Sequence, residues 1–289
     1  MQIPDPFSKS PSPQKTSHPS KSDRGYTIVF AILATVMFAL LALPGLALIW
    51  RAVDYISSDY LMELAPLLSS LSLSLSTTLV SVLIIILLGT PTAYLLARTE
   101  FRFKRLLAIF VELPIVMPPV VAGLALLAAF GRRGLLGPTL QLFDLQLSFT
   151  PAAVILAQVF VASPFYIRTA QNRFNAIPQE LEEAARMDGA SAWTIFWAIL
   201  LPLSGKALLA GLILSWARAL GEFGATILFA GNFQGRTQTI PLFIYSALER
   251  DLGATYLTAG IMLGLAAVLL ALVRMLTRLE TGTEWLEKL

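Results

Sequence analysis

Apolar residues fall into six long runs along the chain, at about residues 26–50, 72–97, 106–130, 151–170, 207–230 and 256–277, with polar segments between them. Crossing about 30 Å of hydrocarbon takes roughly 20 apolar residues in a helix, so each run predicts a membrane span. The first, Tyr26 to Trp50, has 25 residues. That exceeds the core of a signal peptide and no small-residue cleavage site follows, so it reads as a span. The second begins SLSLSLSTT, Ser70 to Thr78, with the alternation of a strand. A lone strand leaves its backbone unpaired in lipid, so this run also predicts a helix. Its hydroxyls then lie on several faces, either bonding back to the preceding turn or lining a pathway. Residues 1–25, rich in Pro, Ser and Lys and without apolar periodicity, read as a disordered tail. Residues 281–289 form a short C-terminal tail.

Composition supports a membrane protein and narrows the chemistry. Charged residues make up 13% and hydrophobic residues 56%, against about 25% charge in soluble domains. The chain has no cysteine, which excludes disulfides, thiol catalysis and a Cys-based zinc site. Its single histidine, His18, lies in the tail. A nucleotide-binding loop needs G-x4-GK-[ST] after a strand; Ser204-Gly205-Lys206-Ala207 lacks both the upstream glycine and the hydroxyl. No catalytic residue, metal site, cofactor or nucleic-acid surface is expected, and the chain is not expected to be an enzyme by itself.

Charge distribution sets the orientation. With the N-terminus inside, fifteen of the 21 Lys and Arg residues fall on the cytoplasmic side, five fall outside and Arg218 lies within a span. The excess puts both termini in the cytoplasm. It also puts residues 171–205, the largest loop, on that side.

Within that loop, QELEEAARMDGASAWTIFWAILLP predicts a helix–turn–helix. Pro178 can take the first helical position, and Glu180, Glu182 and Glu183 complement the dipole of the first turn. Gly189 can end that helix in the left-handed conformation. Ser191 can cap a second helix, Ala192 to Leu200, with Trp193, Phe196 and Trp197 resting on the bundle and Pro202 as its stop. An amphipathic hairpin lying on lipid is the plain alternative, but membrane-surface helices favour Lys and Arg. The glutamates and the Ala184-Ala185 patch point instead to a protein groove.

Glu183-Ala184-Ala185, Gly189, Ile199, Leu201 and Pro202 fit EAA-x3-G-x9-I-x-L-P without a gap. This resembles the signature loop of permease subunits of bacterial ABC importers. LPIVMPPVVAGLALLAAFGRRGLLG (Leu113 to Gly137), WARALGEFGATILFAGN (Trp216 to Asn232) and RTQTIPLFIY (Arg236 to Tyr245) look like molybdate permeases. The likeness extends over about residues 65–280, with sulfate permeases as near relatives and tungstate nearly isosteric with molybdate. It implies an all-α, six-span type I permease core in the bacterial inner membrane. It implies a homodimer, two ABC ATPase subunits that bind ATP and Mg, and an extracytoplasmic oxyanion-binding protein. Glu182, Glu183, Ala184, Ala185, Gly189, Ile199, Leu201 and Pro202 would be the ATPase-coupling residues. The contrasting readings are an ion-coupled secondary transporter, which usually carries internal repeats not evident here, and a scaffold or receptor without transport.

Three ionisable residues fall within spans: Glu112, Arg218 and Glu222. Intramembrane charges are costly and usually paired or functional. Arg218 and Glu222 lie one helical turn apart and can pair, either to pin helix packing or to gate a divalent anion. Bare carboxylates repel an oxyanion, so neither glutamate is expected to ligate it directly. Gly224 and Thr226, with Gly221 and Ala225, permit close helix approach. Pro114, Pro118 and Pro119 should kink the third span. Arg218, Glu222, Gly224, Thr226, Pro118 and Pro119 are therefore the candidate pathway or gate residues. Arg132 and Arg133 in an outer loop can attract an anion or an acidic docking protein.

Overall fold

The computed structural model describes residues 21–55 and 64–281, and among them there is no strand. The chain forms two units, residues 1–48 and 49–289. Helix α1 (Lys21–Tyr55) begins five residues before the expected span; the rest of the expected tail, residues 1–20, and residues 282–289 lie outside the described residues. Among the described residues eleven further helices follow: α2 (Leu64–Arg98), α3 (Lys104–Val116), α4 (Pro119–Phe130), α5 (Gly137–Leu142), α6 (Pro151–Ala176), α7 (Gln179–Met187), α8 (Ala192–Ile195), α9 (Leu201–Leu220), α10 (Gly224–Phe229), α11 (Ile240–Leu248) and α12 (Leu252–Thr281). A π-helical turn, Phe196–Leu200, joins α8 to α9.

Among the described residues, five helical segments are long and apolar enough to cross a membrane: 26–55, 65–98, 151–176, 192–220 and 252–272. The sixth expected span, 106–130, is two helices, α3 and α4. Met117 and Pro118 between them are extended, with ψ 130° and 136°. A proline disfavours the α conformation of the residue before it, and Pro118-Pro119 imposes this on two residues in succession. Pro114 stays inside α3.

The fifth expected span, 207–230, is also redrawn. Its helix starts at Ala192 and stops at Leu220, and α10 is a separate piece. Pro202 does not end the helix that Ser191 caps, as the sequence predicts; it sits in the first turn of α9. In an α-helix its ring would press on the carbonyl four residues back. The preceding turn widens instead, with Leu201 N–H reaching Phe196 O, five residues back.

Helix α6 lies between α2 and α9, packed against both. Between residues 70 and 81 the buried face of α2 is made of hydroxyls: Ser70, Ser74, Thr77, Thr78 and Ser81. Thr77, Thr78 and Ser81 bond back along their own helix. The same face also bridges outward. Ser81 donates to Gln158 Oε1 at 2.9 Å, Thr78 accepts from Trp216 Nε1 at 3.0 Å, and Ser74 accepts the first backbone N–H of α11 at 2.8 Å. A second apolar cluster, around Ala122, Leu126, Ala157 and Phe229, joins α4, α6 and α10. There the backbones nearly touch. A Cβ on Gly123 would lie 2.8 Å from Ala225 O.

Gly123→Val should therefore lower the melting temperature of the purified chain in detergent, at a cost of about 1–3 kcal/mol. Gly205 in α9 has nothing within 4 Å of such an atom, so Gly205→Ala should be neutral or stabilising by up to about 1 kcal/mol. Equal effects from the two substitutions would contradict the α4–α10 packing.

Candidate functional site

The helix–turn–helix of residues 179–200 is held by local signals on one side and by the bundle on the other. Gly189 adopts φ +86°. Its N–H reaches Arg186 O at 3.0 Å and the N–H of Ala190 reaches Ala185 O at 2.9 Å, the paired bonds of a Schellman ending. Ser191 Oγ accepts from Thr194 N–H at 3.1 Å and caps α8. Pro178 is the N-cap of α7, with ψ 134°, rather than its first helical residue as expected.

The inner face is an amphipathic stripe. Ile195 and Leu200 are buried, and Phe196 packs among Tyr94 and Phe174, at 5.4 and 6.4 Å between ring centroids. Trp193 and Trp197 do not rest on the bundle with Phe196. They flank Phe196 on its outer side, 6.3 and 5.5 Å from it between ring centroids, and are 71% and 50% exposed.

Glu182 departs from the acidic outer face that the sequence predicts. It is only 5% exposed, and its Oε1 lies 2.8 Å from Arg98 Nε at the end of α2. The Arg98 N–H is not aimed along that contact, so the attraction is ionic rather than a linear hydrogen bond. Arg98 Nη2 donates to Ile177 O, 79 residues away, at 2.7 Å. Arg186 adds a second cation 3.6 Å from Glu182. At the other root of the hairpin, Arg173 forks Nε and Nη2 onto Leu203 O at 3.1 and 2.7 Å. Arg98 and Arg173 were visible in the sequence only as loop cations, because partners so distant leave no local pattern. Removing one member of a buried pair leaves an uncompensated charge, so these contacts fix where the hairpin sits.

Outward, the hairpin presents Glu180, Glu183, Ala184, Met187, Asp188 and Gly189; Met187 is 89% exposed. Ala185, Ile199 and Leu201 are half-buried, and Pro202 is exposed. Of the coupling candidates, Glu183, Ala184 and Gly189 therefore lie on the open face, and Glu182 lies underneath.

Four of the six gate candidates form two direct contacts. Arg218 Nη1 is 2.8 Å from Glu222 Oε2, and the Glu222 side chain is 1% exposed. Glu222 Oε1 also accepts the Ala225 N–H at 2.8 Å. This explains why α9 stops at Leu220: a continuous helix would commit the Ala225 N–H to Gly221 O and leave half of a buried carboxylate without a donor. The pair thus forms just beyond the end of α9. Gly224 touches Pro119, where a Cβ would come within 2.5 Å of the Pro119 Cβ. Pro118 is exposed, and Thr226 is buried with no partner for its Oγ1. Glu112 pairs with Arg168 at 2.9 Å, both about half exposed. Arg132 bonds Gln146 at 3.2 Å and, with Gln141 and Asp144, lines a cavity of about 380 Å³ after α4.

Comparison with known proteins follows this geometry. The chain is 36% identical over 274 residues to a probable transport system permease protein, NifC, of Clostridium pasteurianum, covering 92% of this chain and 96% of that one. It is 44% identical over 222 residues to the molybdenum transport system permease protein ModB of Haemophilus influenzae, covering 76% and 93%. It is 36% identical over 215 residues to the sulfate transport system permease protein CysW of Synechococcus elongatus, covering 74% and 75%. Its fold is similar to a chain of a bacterial alginate ABC transporter solved with a periplasmic protein. That match has TM-score 0.69 and 18% identity, and covers 89% of this chain and 96% of that one. The family of binding-protein-dependent transport system inner membrane components matches residues 89–280, and this chain belongs to it.

Proposed function

We propose that this chain is the permease subunit of an ATP-driven oxyanion importer, and that its hairpin docks into a separate ATPase. One observation carries the docking: the hairpin offers Glu183, Ala184 and Met187 to solvent while Glu182, just beneath, is tied to the end of α2. A partner that grips the open face pulls on α2 through Arg98 and on α6 and α9 through Arg173 and Leu203. Two copies, most simply related by a twofold axis, enclose the pathway with their cytoplasmic sides toward two ATPases. ATP closes the ATPases, the hairpins follow, and the spans rock from inward-open to outward-open. A loaded binding protein delivers the cargo at the opposite end, near Arg132 and Arg133. Arg218, neutralised by Glu222 yet partly exposed, faces the cargo near the break between α9 and α10.

For the cargo we favour molybdate, with tungstate its near-isostere. Identity to a named molybdenum permease (44%) supports this over identity to a named sulfate permease (36%). Sulfate is the second reading, because the latter likeness still extends over most of the chain.

Glu183→Arg should abolish uptake by the transporter reconstituted with its ATPase, while leaving the melting temperature nearly unchanged. The side chain is exposed, and surface substitutions shift stability by about 0.5 kcal/mol or less. Retained uptake would refute the docking. Glu182→Gln should destabilise the chain by about 3–5 kcal/mol, since Arg98 is left buried without its counter-charge, and should lower the cargo moved per ATP hydrolysed. Arg98→Met with Glu182→Met should restore stability and not that ratio. If the ratio also recovers, the pair holds packing only. Titration of the partner binding protein by calorimetry decides the cargo: molybdate and tungstate should bind alike, and sulfate at least about tenfold more weakly, a gap of about 1.4 kcal/mol. Equal competition by sulfate would reassign the transporter.

A further inference from the structure

Where α2 ends and α3 begins, a cavity of about 520 Å³ has an apolar floor and a charged rim. Leu96 and Ala108 form the floor; Arg102, Lys104 and Arg105 are the cations of the rim, with Glu100 the one carboxylate. Lys104 Nζ is 2.6 Å from Glu100, so one cation is balanced. Arg102 and Arg105 are exposed, and neither makes an ion pair with an acidic side chain among the described residues. The Arg102 guanidinium lies 5.9 Å from the ring centre of Phe103 and leaves its edge free.

The surroundings are apolar. Phe103, Leu106, Ile109 and Phe110 are each about half to two-thirds exposed, and they recur at helical spacing as one outward stripe of α3. A stripe of that kind faces acyl chains, so the cations at its start lie at headgroup depth. Helix α3 also has no acidic residue in its first turn and no side-chain cap. Its N-terminal dipole therefore adds to the positive field at the same place.

We propose that this rim is a binding site for the phosphate of an anionic phospholipid, with Arg102 and Arg105 as its ligands. The acyl chains lie along the Phe103–Phe110 stripe. The stripe is what selects a lipid over a soluble anion, because the apolar surface continues directly from the charged rim. Nothing in the proposed coupling depends on this site, and it can fail without affecting that reading.

The test uses the full-length chain in nanodiscs of phosphatidylcholine, with or without phosphatidylglycerol, and reads retained phosphatidylglycerol by native mass spectrometry. Wild type should retain phosphatidylglycerol in preference to phosphatidylcholine. Each arginine near the surface contributes about a five-fold gain in affinity for anionic lipid. Arg102→Gln with Arg105→Gln should therefore weaken retention by roughly 25-fold, with an unchanged melting temperature in phosphatidylcholine alone. Should that variant fold poorly, Glu100→Gln carries the test: removing the competing carboxylate should raise retention several-fold. Retention that is insensitive to both variants overturns the proposal. So does equal protection of the rim by inorganic phosphate in lipid-free detergent, which would assign it to a soluble anion.

Discussion

A polar group in hydrocarbon has no water to fall back on, so most of those inside this bundle take their partners from protein. That requirement explains the composition of the central helix pair. Between residues 70 and 81 the inner face of α2 is built of serine and threonine rather than leucine, and Ser74, Thr77, Thr78 and Ser81 close onto their own helix or reach across. Gln158 of α6 is 1% exposed and is satisfied by Ser81 and by Thr77. Each such bond is worth only about 0.6 kcal/mol on average. What they supply is register: Ser74, Thr78 and Ser81 fix α2 against α11, α9 and α6 respectively.

The same constraint places the breaks. Between α3 and α4, two prolines withhold N–H donors and force two residues out of the helix. At Phe196–Leu200 a proline is accommodated without a break, because a wider turn moves the carbonyl away from its ring. Beyond Leu220 a buried carboxylate, not a proline, stops the helix. Glu222 takes one donor from Arg218 and one from the backbone of α10, and the two pieces meet at that shared group. The two ruptured spans also meet each other, Pro119 against Gly224. The breaks of the third and fifth expected spans thus meet at one contact.

How much of this could be read from the chain depended on the range of the interaction. The left-handed Gly189, the Ser191 cap and the Arg218–Glu222 pair are settled within four or five residues, and the sequence announces them. Pro202 was misleading because a proline is a reliable stop only where the backbone cannot widen, and nothing local reports the π turn. The span drawn at 207–230 was misplaced because apolar counting measures side chains and ignores where a carboxylate needs a backbone donor. Glu182 was the largest loss. As one of three glutamates in a first turn it looked like surface, and only the fold brings Arg98 beneath it.

That burial bears on why the hairpin carries two adjacent glutamates with opposite fates. An exposed contact gripped by a partner transmits force only if its other side is rigid. The hairpin is small, and its apolar stripe would by itself permit sliding, since dispersion contacts are non-directional. Charge fixes what apolar packing leaves free. Glu182 locks onto Arg98 while Arg98 also holds the carbonyl at the start of α7, so a push on Glu183 is delivered to α2 within one turn of helix. Arg173 does the same at the far root through Leu203. The hairpin is therefore a lever with two charged pins. In the proposed docking, its outer face is free to suit an ATPase because its inner face is already committed to the bundle.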